Sequence, residues 1–349
     1  AFSFTLTVPG AELPAAGVTI VGVLPSHRRR GILTQMMRRQ LDDIRAKREP
    51  IAILWASEGS IYGRFGYGVA TISATISADR DRAVFAEAVE PEGRVRIVTL
   101  GEALKTLPDI YEKARAVTPG MYTRSDLWWE AHTLADPEHE REGGGPMFRA
   151  LWEDGGRAEA YALYRVHSEW GFDGVPKGKV VVLEAIANSV AATREIWRFL
   201  FGIDLVTRIQ AWIRPPDDPL FLMMAEPRRL RATLGDGLWL RIVDIIGALQ
   251  GRTYARNGSI VLDVKDAMCP WNEGRWRLEG GPSGASLTPA SDPPELALDI
   301  RELGSAYLGG ISFGRMLDAG RIDEVVAGAA ARADALFAVD RAPWCPEIF

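Results

Sequence analysis

Cysteine and histidine are scarce in this sequence, which holds two cysteines and four histidines among 349 residues. Cys269 and Cys345 are too few for a disulfide framework, so a reducing compartment is the default and we expect a cytoplasmic protein. The histidines stand at positions 27, 132, 139 and 167. None of them shows a metal-ligand spacing such as His-x-x-x-His, and we predict no metal site.

Long apolar runs and an excess of basic charge are also missing. No apolar run reaches the roughly 18 residues of a membrane span, and no signal peptide is recognisable. The net charge of −5 argues against non-specific nucleic-acid binding, which needs a strong basic excess. The 47% hydrophobic content is enough for two or three cores. The chain begins Ala1-Phe2-Ser3 without Met, and we expect an N-terminal segment to be missing.

The first block of the chain alternates short strand patterns with one long helix pattern. Residues Phe2 to Val8 alternate apolar and polar side chains, as a half-buried strand does, and Pro9-Gly10 marks a turn. Further strands are predicted at Gly17–Leu24, Ile51–Trp55 and Val69–Ser77. A helix is predicted over Arg30–Lys47 because apolar residues recur there at spacings of three and four, namely Ile32, Leu33, Met36, Met37, Leu41 and Ile44.

Two more blocks follow without a low-complexity linker. The second, residues 92–235, is predicted to contain Thr123–Thr133 and Ser189–Leu200 as helices and Phe148–Trp152, Ala158–Val166 and Lys179–Ala187 as strands. Because its strand–helix order repeats that of the first block, we interpret it as a degenerate duplicate. The third block begins near Asp236 and is predicted as an α+β sandwich. Its strands are Leu238–Asp244, Gly258–Val264, Gly274–Glu279 and Glu295–Ile300, and its helices are Ile245–Gln250, Ile300–Leu308 and Glu324–Phe337. The fold class is therefore α+β, of an α/β-like kind.

The strongest chemical signal is a basic, glycine-containing turn between a strand and a helix, Val21-Gly22-Val23-Leu24-Pro25-Ser26-His27-Arg28-Arg29-Arg30-Gly31-Ile32-Leu33. A helix start has amide groups without partners and the positive end of the macrodipole, so it suits a pyrophosphate. Gly31 lets the backbone approach the phosphates closely, and the arginines add charge-assisted donors. The alternative is a solvated basic patch before a surface helix.

The spacing of this turn fits the coenzyme A signature Arg/Gln-x-x-Gly-x-Gly/Ala of GNAT acetyltransferases. Arg28 and Gly31 match that signature, and Leu33 departs from it at the last small position.

A second signal is Trp55-Ala56-Ser57-Glu58-Gly59-Ser60-Ile61-Tyr62-Gly63-Arg64-Phe65-Gly66-Tyr67-Gly68, where a strand ends in a glycine-punctuated helical turn. In acyl transfer the leaving thiolate must be protonated, and a tyrosine phenol (pKa about 10) can donate to a thiolate (about 8.5). We therefore interpret Tyr62 as a proton donor. Phe65 and Tyr67 are interpreted as aromatic core around the turn, which is also the alternative for Tyr62.

Together these two segments closely resemble the enhanced-intracellular-survival (Eis) family of bacterial acetyltransferases. The resemblance extends over the whole chain, including Leu234-Gly235-Asp236-Gly237-Leu238-Trp239 and the terminal Phe349. Members of that family keep Leu at the position of Leu33. The resemblance implies a GNAT domain over residues 1–87, a degenerate GNAT-like domain over 88–235 and a sterol-carrier-protein-like domain over 236–349. It also implies homohexamers that acetylate aminoglycoside amines, and in some members protein lysines, with acetyl-CoA as acyl donor.

The resemblance also implies a site, position by position. Tyr62 would be the general acid and the C-terminal carboxylate of Phe349 the general base. The coenzyme A contacts would be Val21, Gly22, Val23, Arg29, Arg30, Gly31, Ile32, Leu33, Thr34, Ser57 and Glu58.

Two features bear on the acceptor. The family's amine pocket is partly built by N-terminal helices that should precede Ala1, and its acidic residues near the terminus differ here, where only Glu347 is available. The alternative functions are a module that senses acyl-CoA or a lipid through the C-terminal block, and a protein lysine acetyltransferase. A sensor would need neither Tyr62 nor a free terminal carboxylate.

Overall fold

The computed structural model describes every residue from Ala1 to Phe349. The strands are β1 (Phe2–Val8), β2 (Ala11–Gly17), β3 (Ile51–Trp55), β4 (Gly68–Val69), β5 (Ile72–Asp79), β6 (Arg94–Ile97), β7 (Phe148–Asp154), β8 (Arg157–His167), β9 (Gly178–Ala187), β10 (Val206–Arg214), β11 (Thr233–Asp236), β12 (Leu238–Ile242), β13 (Gly258–Lys265), β14 (Gly274–Gly281), β15 (Gly284–Pro289), β16 (Leu296–Asp299) and β17 (Asp323–Glu324). The helices are α1 (Ile32–Ala46), α2 (Gly59–Tyr62), α3 (Leu100–Arg115), α4 (Asp126–Trp128), α5 (Val190–Phe201), α6 (Leu220–Met223), α7 (Ile245–Gln250), α8 (Ile300–Ala306), α9 (Phe313–Asp318) and α10 (Ala329–Phe337). No helix combines the length and the apolar character needed to cross a bilayer.

By packing, the chain forms two compact units. The first unit combines Ala1–Ile72, Thr118–Tyr122 and Asp236–Phe349, and the second combines Ser73–Val117 and Thr123–Gly235. The predicted domain limits at residues 87 and 235 stay a prediction.

The first unit contains a five-stranded sheet in the order β1-β2-β3-β12-β4. Strands β1 and β2 form a hairpin around the predicted Pro9-Gly10 turn, with Phe2 opposite Gly17 and Val8 opposite Ala11. Strands β2 and β3 are parallel, and β12 pairs antiparallel with β3. β12, which the sequence analysis placed in the third block, therefore completes the sheet of the first.

The predicted strand at Gly17–Leu24 is wrong, because the strand runs earlier, over Ala11–Gly17. The hairpin turn fixes the register of this segment on β1, and pairing with β3 begins only at Ala15. Pro14 is tolerated since no β3 partner faces it. The β-branched run that follows has high strand propensity but no neighbouring strand with which to pair, so tertiary context overrides the propensity.

Helix α1 covers one face of this sheet, close to its predicted bounds. Met37, Leu41 and Ile44 are buried in one cluster with Ala16 on β2 and Leu54 on β3. Met36, also predicted to face the core, is 42% exposed. The core-facing stripe is thus narrower than the sequence pattern indicates.

The same unit contains a second five-stranded sheet, in the order β15-β14-β13-β16-β17, with helices α8, α9 and α10 in the same part of the chain. A guanidinium group is buried in this part of the unit. Arg252 is 1% exposed, lies over the rings of Tyr254 and Phe337, and donates to the carbonyl oxygen of Tyr307, while its Nη2 has no hydrogen-bond partner. Burial accordingly lowers the pKa of this guanidinium.

The second unit is built on a seven-stranded mixed sheet in the order β11-β5-β10-β9-β8-β7-β6. Helix α5 packs on it through Ile196, Trp197 and Leu200. The predicted helix at Thr123–Thr133 is only partly regular, because Ser125 caps a single α-helical turn and a π-helical turn follows at Trp129–Thr133. The sequence analysis missed α3 and β10. The mixed sheets with packed helices match the predicted α+β class.

Candidate active site

The candidate active site lies where the paired strands β2 and β3 diverge. Gly17 is the last residue of β2 that pairs with β3, opposite Ile53, and the amide of Val18 donates to the carbonyl oxygen of Ile53 at 2.8 Å. Beyond that point the chain leaves the sheet. Ile20 has a left-handed φ of 52° and is 95% exposed. The peptide groups of residues 21–23 therefore have no strand partner, and the carbonyl oxygen of Val23 accepts a hydrogen bond from Nε of Arg28 at 3.4 Å.

The predicted contacts in this segment fall on its open edge. Val21 and Val23 are half-buried, whereas Gly22 between them is exposed. This alternation anchors the side chains of the two valines and leaves the backbone between them accessible. An extended ligand could add to the edge of this segment as a strand does, through main-chain hydrogen bonds.

The N-terminus of α1 follows this segment directly and carries no side-chain cap. Its N-cap residue is Gly31, whose φ is 75° and where a Cβ atom would meet no atom within 4 Å. Only the amide of Gln35 bonds back, to the carbonyl oxygen of Gly31. Such an end, with free amides and the positive end of the helix macrodipole, is an anion site.

Three exposed arginines surround this helix start: Arg28, Arg29 and Arg30. Arg29 has a left-handed φ of 62°, so two residues of this turn adopt the conformation that wraps backbone amides around an anion. Ile32, Leu33 and Thr34 form the first, half-buried turn of α1. The turn from Arg29 to Thr34 is thus shaped and charged for a phosphate group.

The residues that follow β3 line the other side of the candidate site. Ser57 and Glu58 are exposed between the end of β3 and α2, and Tyr62 is the last residue of α2. The side chain of Tyr62 is 9% exposed and belongs to the core cluster that also contains Val18. Burial raises the pKa of the Tyr62 phenol above its ordinary value, so this phenol stays protonated at neutral pH.

A buried ion pair lies beside the core cluster that contains Tyr62. Arg241 on β12 is fully buried and donates from Nη2 to both carboxylate oxygens of Asp266 at 2.7 Å. The rings of Tyr62 and Tyr67 meet edge to face at 6.1 Å, and the Tyr67 hydroxyl has no hydrogen-bond partner. Burial raises the pKa of the Cys269 thiol to about 11. Tyr67 and Phe65 are core residues, as predicted, and Cys269 is an inert thiol.

The chain terminus docks on the same sheet. Phe349 is 8% exposed, and a Cβ atom on Gly17 would lie 3.2 Å from its ring. The Phe349 ring also meets those of Phe4 and Tyr122 edge to face, at 5.2 and 5.5 Å. The ring of the terminal residue is therefore held beside Gly17, the last residue of β2 before β2 and β3 diverge.

The structure thus brings the predicted residues to one end of one pair of strands. The segments predicted to bind coenzyme A follow β2, begin α1 and follow β3, and Gly17 of β2 and Ile53 of β3 are paired neighbours. Sequence reasoning missed Tyr122, Arg241 and Asp266. No local motif marks these three residues, because their roles arise from contacts between segments far apart in the chain.

The equivalent junction in the second unit is built differently. Between β9 and α5 the side chain of Ser189 caps the helix and accepts the amide of Ala192 at 3.2 Å. A side chain of the protein itself therefore already takes up one amide of this N-terminus. Residues 187–191 also contain neither Gly nor Arg.

Comparison with known families covers most of the chain. Residues 1–70 match an acetyltransferase (GNAT) domain family, residues 120–242 match a second acetyltransferase (GNAT) domain family, and residues 245–346 match a sterol carrier protein domain family. The predicted three-part fold is thereby confirmed.

Whole-chain relatives agree with this assignment. An uncharacterised N-acetyltransferase of Streptomyces coelicolor is 44% identical over 351 residues, covering 100% of this chain and 84% of that protein. The N-acetyltransferase Eis of Mycobacterium bovis is 38% identical over 345 residues, covering 96% of this chain and 81% of that protein. The crystal structure of Eis1 from Mycobacterium abscessus superposes with a TM-score of 0.86 at 34% identity, covering 100% of this chain and 86% of that one.

Proposed function

This chain belongs to the Eis-type GNAT N-acetyltransferases, and from that membership we propose that it transfers an acetyl group from acetyl-CoA to amines of aminoglycoside-like, polycationic acceptors. The observation that supports acetyl-CoA as the acyl donor is the N-terminus of α1. It has no side-chain cap, Gly31 adopts the left-handed conformation, and three exposed arginines precede it. The acceptor class rests on the family resemblance.

Acetyl-CoA would be held by three neighbouring segments. The pyrophosphate would accept hydrogen bonds from the amides at the start of α1, with charge-assisted donors from Arg29 and Arg30. The pantetheine arm would run along the backbone of Val21, Gly22 and Val23, which has no strand partner, as a strand does. Ser57 and Glu58 would contact it from the end of β3. This placement puts the thioester near Tyr62.

Proton transfer would be shared between Tyr62 and the chain terminus. The amine nitrogen attacks the thioester carbon, and the carbon–sulfur bond breaks. The departing thiolate takes the phenol proton of Tyr62, which burial keeps protonated. The proton lost by the amine goes to the carboxylate of Phe349. Direct transfer of this kind needs no cysteine nucleophile, in keeping with the buried thiols of Cys269 and Cys345.

The C-terminal part does not favour the alternative of a lipid sensor. Arg252 places a guanidinium among the aromatic side chains of its interior, and a buried charge is an unfavourable neighbour for a sterol or acyl chain. The proposal also keeps the predicted domains at 1–87, 88–235 and 236–349, a homohexameric assembly and a cytoplasmic location, all from the family resemblance.

The direct test measures thiol release from acetyl-CoA with a panel of aminoglycosides, linear polyamines and a lysine-rich peptide. We expect thiol release that depends on the acceptor and is fastest with aminoglycosides, together with a mass increase of one acetyl group per modified amine. Release with the peptide alone would establish a protein lysine acetyltransferase instead. Coenzyme binding without release for any acceptor would contradict the proposal.

A further inference from the structure

The last residues of the chain lie against a short segment from its middle, Thr118–Tyr122. The amide of Trp344 donates to the carbonyl oxygen of Pro119 at 2.8 Å. The segment itself is bound to the edge strand β1. The amide of Gly120 donates to the carbonyl oxygen of Thr7, and the amide of Thr7 donates to the carbonyl oxygen of Met121. The terminus is therefore attached to the first sheet through this segment.

Gly120 makes the close approach possible. Its φ is +97°, and a Cβ atom there would lie 2.9 Å from the carbonyl oxygen of Trp344. A side chain at this position would push the terminal segment away as well as strain the backbone. The docking geometry is thus built into the backbone of residues 118–122.

Tyr122 contacts the end of the chain through both its ring and its hydroxyl. Its ring, which is 0% exposed, stacks on Phe4 at 4.3 Å and meets Phe349 edge to face at 5.5 Å. Its hydroxyl donates to Oε1 of Glu347 at 2.7 Å. Ile348 between these two residues is 49% exposed. One side chain therefore contacts both inward-facing residues among the last three.

We propose that Tyr122 is a positioning residue that orients the terminal carboxylate of Phe349 toward the acceptor amine, an inference that rests on the proposed function of that carboxylate as general base. A carboxylate at a chain end has no following residue to hold it, and chain ends are ordinarily frayed. Its direction is set by the side chain that carries it and by the residues just before it. Tyr122 fixes both, through the Phe349 ring and through Glu347.

The variant Tyr122→Phe separates the two contacts, because it keeps the ring and removes only the hydroxyl bond to Glu347. We expect kcat to fall about tenfold to a hundredfold, since small misplacements of a catalytic group cost rates of that order. The KM for acetyl-CoA should change less than twofold. The matched control is Tyr254→Phe, which removes an equally buried hydroxyl that donates to the carbonyl oxygen of Leu249 at 2.8 Å. It should lower the thermal midpoint comparably and leave kcat unchanged.

A double-mutant cycle distinguishes positioning from a general structural effect. One glycine appended after Phe349 moves the carboxylate by a residue, and Tyr122→Phe is measured with and without it. Positioning requires that the substitution lose kcat only in the chain with its native end and add no further loss in the extended chain. Equal fold-losses in both backgrounds, or no loss in either, would overturn the role of Tyr122 while leaving the terminal base standing. Full kcat in the extended chain would overturn the base and the positioning role together.

Discussion

At the scale of single residues, two groups with different surroundings have opposite proposed tasks in proton transfer. Tyr62 sits at the edge of a core cluster, where loss of water favours the neutral phenol. Phe349 is docked by its ring, which leaves its carboxylate to act from the chain end. Transfer to the thiolate needs a donor that is protonated at neutral pH, and transfer from the amine needs a separate proton acceptor.

The variant Tyr62→Phe should fold normally and lose most of kcat. Only one hydroxyl is removed, and general acid catalysis contributes about 10²–10⁴-fold. Steady-state and single-turnover kinetics check this, with the thermal midpoint as control for folding. Tyr67→Phe is the matched control, because the Tyr67 hydroxyl is buried in the same cluster without a partner, and it should keep kcat. Turnover close to wild type in Tyr62→Phe, with product release shown not to limit the rate, would place Tyr62 in the core alone.

The pH dependence of kcat follows from the raised pKa of Tyr62. A general acid works only while protonated, so its ionisation produces a falling limb of kcat at a pH near its pKa. Because burial raises this pKa above 10.0, we expect no falling limb of kcat below about pH 10. A falling limb near pH 8 that disappears in Tyr62→Phe would show instead that Tyr62 is a stronger acid than its surroundings indicate.

At the scale of elements, helices α1 and α5 follow corresponding strands in the two units. Their N-termini differ in how open they are to an anion. The start of α1 is uncapped, glycine-led and flanked by arginines, whereas the start of α5 is capped by Ser189. The first is open to an anion, whereas in the second the Ser189 hydroxyl already accepts the amide of Ala192.

Replacing Gly31 by Asp should weaken coenzyme binding far more than folding. The carboxylate would stand where the pyrophosphate is expected, and charge-assisted hydrogen bonds are worth about 1.5–3 kcal/mol each. We expect the KM for acetyl-CoA to rise at least about tenfold. Gly156→Asp is the matched control, because Gly156 also has a positive φ of 81° and open space around it. An unchanged KM in Gly31→Asp would mean that the phosphates bind elsewhere.

Each chain should bind one acetyl-CoA. At the start of α5 the hydroxyl of Ser189 already accepts the amide of Ala192, and residues 187–191 contain no arginine donor. Isothermal titration of the protein with coenzyme A measures the stoichiometry directly. Two sites of comparable affinity per chain would contradict the contrast drawn between the units.

How far the sequence predicts these elements depends on how local their causes are. The helix α1 and its basic turn were predicted closely, since spacing, Gly31 and the arginine run act within one segment. The strand Ala11–Gly17 was missed because its register comes from a hairpin partner and its own composition is weak. Helix α3 was missed although Thr99 accepts the amide of Glu102 in a capping pattern that the sequence shows.

At the scale of the whole molecule, the first unit combines the start, a middle segment and the end of the chain. β12 completes the sheet that β1 begins, and the terminal residues return to the edge of that sheet through Thr118–Tyr122. Such long-range assembly is not visible in local patterns, so Tyr122 and Arg241 could not be predicted. The resemblance to a family implied a catalytic role for the terminus, and that role stays a proposal.

The central claim, that the chain end takes part in acetyl transfer, is tested most directly by kcat after one glycine is appended to Phe349. We expect kcat to fall by about 10²-fold or more, while the KM for acetyl-CoA and the thermal midpoint stay close to those of the unmodified protein. Those two controls matter because the extension leaves Tyr62 and the start of α1 untouched. An extended protein that keeps full kcat would contradict the claim, and Glu347 would then be the next candidate for the base.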